Sequence, residues 1–113
     1  MDGRAMSLME SRARLAFVLR GVPAPIPQYE VRVAGGRRKW LDLAWPDVPE
    51  GRRKVGAEYD GPEHRTISGQ NRDRLRDADL DDAEWEIVRI GAVQVFDPRL
   101  ADALAARILR KVT

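Results

Sequence analysis

The stretch from Trp40 to His64, WLDLAWPDVPEGRRKVGAEYDGPEH, constrains this chain more than any other part of it. It reads as two short strands with acidic residues at Asp42, Glu58 and Asp60, followed by Gly61 and the single histidine, His64. Residues two apart on an extended strand share a face, so Glu58 and Asp60 project together. With the strand of Asp42 paired beside them, three carboxylates meet at one spot on a sheet. Carboxylates about 4 Å apart repel by roughly 4 kcal/mol at an effective dielectric near 20. Such a cluster needs a cation, or protons that carboxylates rarely hold at neutral pH. A divalent metal is the simplest solution.

The flanking sequence supplies the rest of a small α/β unit. Met1 to Met6 read as a disordered leader, and residues 7–113 as a single domain. Ser7 and Glu10 have capping-box spacing for a helix that runs to Arg20, where Gly21 and Pro23 end it. Leu8, Leu15 and Leu19 share an apolar stripe on that helix, and PAPIP is a stiff connector. QYEVRV reads as a strand, Gly35–Gly36 as a hairpin turn, and Lys39–Trp45 as its partner. Pro46 to Gly51 turn the chain into a third strand, Lys54–Asp60. Residues 68–83 are helix-compatible. In EWEIVRI, Trp85, Ile87 and Arg89 fall on one side and Val88 and Ile90 on the other; VQVF continues as a further short extended segment. Asp97 caps a last helix with Pro98 in its first turn and Leu100, Leu104, Ile108 and Val112 as its stripe. The order is helix, three strands, helix, strand, helix: a mixed central sheet flanked by helices.

Composition narrows the function classes. No apolar run approaches the roughly 18 residues of a membrane span, and the first residues lack a signal-peptide core. The absence of cysteine excludes disulfides, thiolate metal sites and a cysteine nucleophile, and fits a cytoplasmic protein. Net charge is only +2, but arginine outnumbers lysine seventeen to three. Basic residues cluster at Arg37, Arg38, Lys39 and again at Arg52, Arg53, Lys54. Arginine suits bidentate phosphate contacts; a GC-rich genome produces the same bias.

The element order, with MESRARL in the first helix, LDLAWPD on strand two, VGAEYDGPEHR on strand three, QNRDRLRD and EWEIVRI, resembles the PD-(D/E)XK nuclease superfamily. More closely, it is similar to endonuclease-like domains of unknown function related to very-short-patch-repair (Vsr) endonucleases. The resemblance spans about Ser7 to the end and implies a restriction-endonuclease-like core. It implies Asp42 and Glu58 as metal ligands, with the Tyr59 carbonyl completing the site and Mg2+ or Mn2+ as the cofactor. It places His64 near the phosphate and Glu10 as a helix-borne acid beside the metal. The lysine of the E-x-K signature is missing, and Asp60 stands there as a further ligand or as the mark of lost catalysis.

Each residue also has a plainer role. Glu10 suits the capping box and an ion pair with Arg14, Asp60–Gly61 is a common turn dipeptide, and a lone histidine is more often a loop residue. Arg65, Arg72, Arg74 and Arg76 are placed to grip phosphates, yet Asp73, Asp77 and Asp79 interleave with them as on a solvated helix. Trp40, Trp45 and Trp85 read as packing residues. The expectation is a metal-dependent endonuclease acting on DNA, with Arg37, Arg38, Arg65, Arg72 and Arg76 as backbone contacts. The alternative is a catalytically inactive nucleic-acid-binding or toxin–antitoxin-like interaction module on the same fold. A partner, either an N-terminal winged-helix domain or a separate protein, fits both.

Overall fold

Apolar alternation, a pair of glycines and a second alternating run build the first structural unit, an antiparallel hairpin. In the computed structural model, which describes residues 3–59 and 78–113, β1 (Ile26–Arg32) pairs with β2 (Arg38–Trp45). The turn is a 3-10 helix over Ala34–Gly36, in which Gly35 and Gly36 both have φ near +80° (80° and 76°). A Cβ is disfavoured there, so the two glycines are what close the hairpin. β1 is an edge strand, and this is why Pro27 sits within it, opposite Leu43, without breaking a central ladder. The stiff PAPIP connector of the sequence reading is therefore partly strand.

β3 (Lys54–Tyr59) lies antiparallel to β2, and β4 (Trp85–Ile90) lies parallel to β3, giving the sheet order β1-β2-β3-β4. A parallel neighbour requires a crossover; of it, residues 78–82 are described and helical (α2). The chain is thus α/β with a four-stranded mixed sheet. Among the described residues no helix is long and apolar enough to cross a membrane.

Both faces of the sheet are covered. On one, Leu43, Trp45, Val55, Ala57, Val88 and Ile90 pack against Ala13 and Phe17 of α1 (Gly3–Leu19) and Leu104, Ala105, Ile108 and Val112 of α4 (Pro98–Val112). Phe17 meets the Trp45 ring edge-on at 5.4 Å, and burying such a side chain stabilises by about 1.5–3 kcal/mol. On the other face, Val31, Val33, Leu41, Ala44 and Trp85 close around Leu80 of α2. The sides expected for β4 hold: Trp85 and Ile87 join this second core, Val88 and Ile90 the first.

Several local expectations are corrected. α1 begins at Gly3, so Ser7 is interior and cannot cap it; Arg4, Ala5 and Met6 are good helix formers and carry the helix past it. Leu8, Leu15 and Leu19 do share a stripe, but it faces solvent, with Leu19 72% exposed. At 100° per residue Ala13 and Phe17 lie on nearly the opposite side, and they are the ones that fit against Trp45. VQVF is not extended: Ala92–Phe96 form a short helix (α3), whose start is closed by the Gly91 amide donating to Gln94 Oε1 at 2.9 Å. Asp97 caps α4 as expected, accepting from the amides of Arg99 and Leu100, but Leu100 itself is largely exposed and the buried stripe is Ala101, Leu104, Ala105, Ile108 and Val112. Trp45 and Trp85 are buried packing residues and Trp40 is not, being 54% exposed.

Candidate functional site

Asp42 sits where the hairpin changes face. Leu41 and Ala44, three residues apart, both enter the core around Leu80, while Leu43 enters the core under α1. A regular strand cannot do this, because its side chains alternate with period two. The break is shared by β1: the pairs Pro27↔Leu43 and Tyr29↔Leu41 flank Gln28, which has φ +50°, an uncommon left-handed conformation for a residue with a Cβ. At this level Asp42 turns its side chain across to β3, and its Oδ2 accepts from the Tyr59 amide at 2.9 Å. The register Leu43↔Ala57 brings Asp42 level with Glu58. The two acids thus stand at the same level of adjacent strands.

Glu58 is 5% exposed, the one charged residue in the buried set among the described residues. An isolated carboxylate there would be strongly penalised. It is met from the adjacent strand: Arg89 is its register partner on β4, and the guanidinium Nη1 lies 3.3 Å from Glu58 Oε2. Sequence reasoning had Arg89 only as a strand-face residue. The signal was there, since an arginine on the Trp85–Ile87 side of EWEIVRI must find an acid or leave the core.

Tyr59 points the other way, toward the core under α1. Its Oη is buried and has no hydrogen-bond partner among the described residues. Burial, then the charges of Asp42 and Glu10, push the phenol well above its ordinary value, with Arg14 pulling weakly in the opposite sense. Glu10 makes the expected i,i+4 pair with Arg14 at 3.8 Å.

The remaining expected site residues divide in two. Arg37 and Arg38 are exposed at the hairpin end and already carry partners, Asp79 and Glu30, each at 3.1 Å. Asp60, His64, Arg65, Arg72, Arg74 and Arg76 lie outside the described residues. Among the described residues no three acidic or histidine side chains gather as a metal-ligand group. The donors Asp42 and Glu58 are hard oxygens on adjacent strands, and magnesium or manganese binds through one or two carboxylates while keeping several waters. The pair fits such an ion in donor chemistry.

Two curated proteins are similar to this chain: the uncharacterized protein Rv2248 of Mycobacterium tuberculosis strain H37Rv and the uncharacterized protein MT2308 of M. tuberculosis strain CDC 1551. Each is 41% identical over 110 residues, which is 96% of this chain and 38% of the relative. The chain spans less than half the length of the curated relatives it matches. No family model and no solved structure matches it.

Proposed function

We propose that this chain is a restriction-endonuclease-like domain of the PD-(D/E)XK, Vsr-related kind, hydrolysing DNA phosphodiester bonds with Mg2+ or Mn2+. The observation that carries the reading is the placement of Asp42 and Glu58: two acids from adjacent strands, brought level where β2 departs from regular pairing. Asp42 is held there by the Tyr59 amide at Oδ2, so Oδ1 is the oxygen it would offer as a ligand. Glu58 is the second ligand and the Tyr59 carbonyl a third oxygen. A bound divalent ion would polarise the scissile phosphate and lower the pKa of the attacking water. Arg89 holds Glu58 in place and brings a fixed positive charge to the site from β4, where the E-x-K pattern would have supplied a lysine on β3. Asp60 and His64 follow directly in the chain as support for the ion and the phosphate. Arg37, Arg38, Arg65, Arg72 and Arg76 are the proposed backbone contacts, and they make binding steeply salt-dependent.

The same Arg89–Glu58 pair favours one second reading. Because the guanidinium neutralises Glu58 without any metal, the fold can persist as a nucleic-acid-binding or protein-interaction module that has lost the reaction. Incubation of the protein with supercoiled plasmid and magnesium or manganese separates the two, beside Asp42→Asn, Glu58→Gln and an EDTA control. Nicking that needs metal and vanishes in both variants supports the nuclease. No nicking, together with no metal binding by calorimetry, leaves the inactive module.

A further inference from the structure

The second basic run, Arg52–Arg53–Lys54, is not used by the acidic site, and the fold gives it company. Arg52 and Arg53 of this run border a cleft of about 410 Å³ whose other wall is the last turns of α4, with Arg107, Arg110 and Lys111. Among the described residues, five cations and one carboxylate, Glu86, line this space. Two of the five are already committed. Arg53 donates to Asp81 Oδ1 at 2.7 Å and to the carbonyls of Asp81 and Trp85, and Lys111 pairs with Glu86 at 2.7 Å. Arg52, Arg107 and Arg110 are exposed, and among the described residues none of them has a carboxylate partner.

Cations in the last turn of a helix are favoured by its dipole, which accounts for Arg110 and Lys111 taken singly. It does not account for Arg107 a turn earlier on the same face, nor for Arg52 facing them from the β2–β3 turn. Like charges gathered in a concavity repel, and an anion relieves that repulsion. Among the described residues no aromatic ring lines the cleft, and its lining suits oxyanion charge rather than a base or a sugar ring. Guanidinium groups suit phosphate by their planar, two-pronged donors. We infer that this cleft is a binding site for clustered phosphate groups, supplied by a nucleic-acid backbone or by a free polyphosphate. Arg52 and Arg53 precede β3, so the cleft lies toward the opposite end of that strand from Glu58.

The test uses the whole chain in EDTA, so that it reads binding alone and does not depend on whether the acidic site cleaves. The probes are tripolyphosphate, by calorimetry, and a fluorescein-labelled 20-base-pair duplex, by anisotropy between 50 and 200 mM salt. Arg107→Ser/Arg110→Ser removes two exposed cations, and Arg32→Ser/Arg99→Ser removes the same charge elsewhere; melting curves confirm that both fold. Affinity for duplex at least tenfold weaker in the first variant only, with a salt slope reduced by about 2 for two lost phosphate contacts, supports the site with the backbone as its source. Tenfold weaker tripolyphosphate binding with duplex unchanged supports it with the free anion as source. Equal losses in both variants, no change in either, or no binding of either probe by the parent overturns the inference.

Discussion

Asp42 and Tyr59 are joined by a hydrogen bond that crosses from side chain to backbone, the Tyr59 amide donating to Asp42 Oδ2 at 2.9 Å. It stands where the β2–β3 ladder would otherwise continue from Leu43↔Ala57, and so it replaces a strand bond with one that holds a carboxylate. One residue thereby serves the fold and the candidate chemistry at once, and the two roles come apart under substitution.

Asp42→Asn keeps an oxygen to accept from Tyr59, whereas Asp42→Ala leaves that amide without a partner. A hydrogen bond to a charged group contributes about 1.5–3 kcal/mol. The alanine variant should lose about 2 kcal/mol in urea unfolding and the asparagine variant under about 1 kcal/mol. Both should lose metal-dependent nicking. Retained nicking in Asp42→Asn would remove Asp42 from the proposed metal site and leave it a structural residue.

Arg89→Ala takes a guanidinium from a carboxylate that is 5% exposed. Breaking a wholly buried pair costs about 3–5 kcal/mol. The Arg89 side chain is 30% exposed, so solvent recovers part of this and about 2 kcal/mol is expected. Glu58→Gln in the same background should restore stability in part, because a neutral amide needs no counter-charge. Saturating magnesium should raise the melting temperature of Arg89→Ala more than that of the parent, the ion taking over the neutralisation. Equal shifts would mean that Glu58 does not meet the ion.

The sheet was legible in the sequence because its signals are local: alternation in YEVRV, KWLDLAW and EWEIVRI, and Gly35–Gly36 for the turn. That the strands of Asp42 and Glu58 are neighbours was legible for the same reason, since the chain turns back after Pro46. What could not be read depends on tertiary fit. Leu8, Leu15 and Leu19 make as good an apolar stripe as any, and only the shape of the Phe17–Trp45 contact decides that α1 turns the other side inward. The change of face at Asp42 is equally invisible to periodicity, which assumes that a strand never breaks step. The need of Arg89 for an acid is written in EWEIVRI, but which acid is not, because its partner lies on a parallel neighbour thirty-one residues away.

Gly56 lets the side chains of Leu41 and Ile87 come close over β3. A Cβ built on it would stand 2.7 Å from Leu41 Cδ1 and 3.0 Å from Ile87 Cδ1. Leu41 is fully buried, so its side chain cannot swing into open space. Gly56→Ala should therefore destabilise by about 1–2 kcal/mol through overpacking, against the small gain expected from replacing glycine in a strand. Leu41→Val should relieve the crowding, so that the double variant is more stable than the sum of the single changes implies. Strict additivity in chemical denaturation would show that the contact is not the cause.

Tyr59 gives the protein an alkaline limit with a definite sign. Its phenol is held above its ordinary value, first by burial and then by Asp42 and Glu10. The unfolded chain loses this proton near pH 10 and the folded chain does so only at higher pH. Above pH 10 the folded state therefore binds more protons than the unfolded state, and stability falls as pH rises. The contribution is complete below pH 10 and is lost above it, at no more than about 1.4 kcal/mol per pH unit, less because the phenol is only partly buried. Tyr59→Phe abolishes this slope and also removes a hydroxyl that has no partner among the described residues, so it should match or exceed the parent by up to about 1 kcal/mol at pH 7. Urea midpoints of the two proteins at pH 7, 9 and 11 provide the check. The gap should widen between pH 9 and 11 in favour of phenylalanine; a constant gap would mean that Tyr59 ionises as freely in the folded protein as in the unfolded chain.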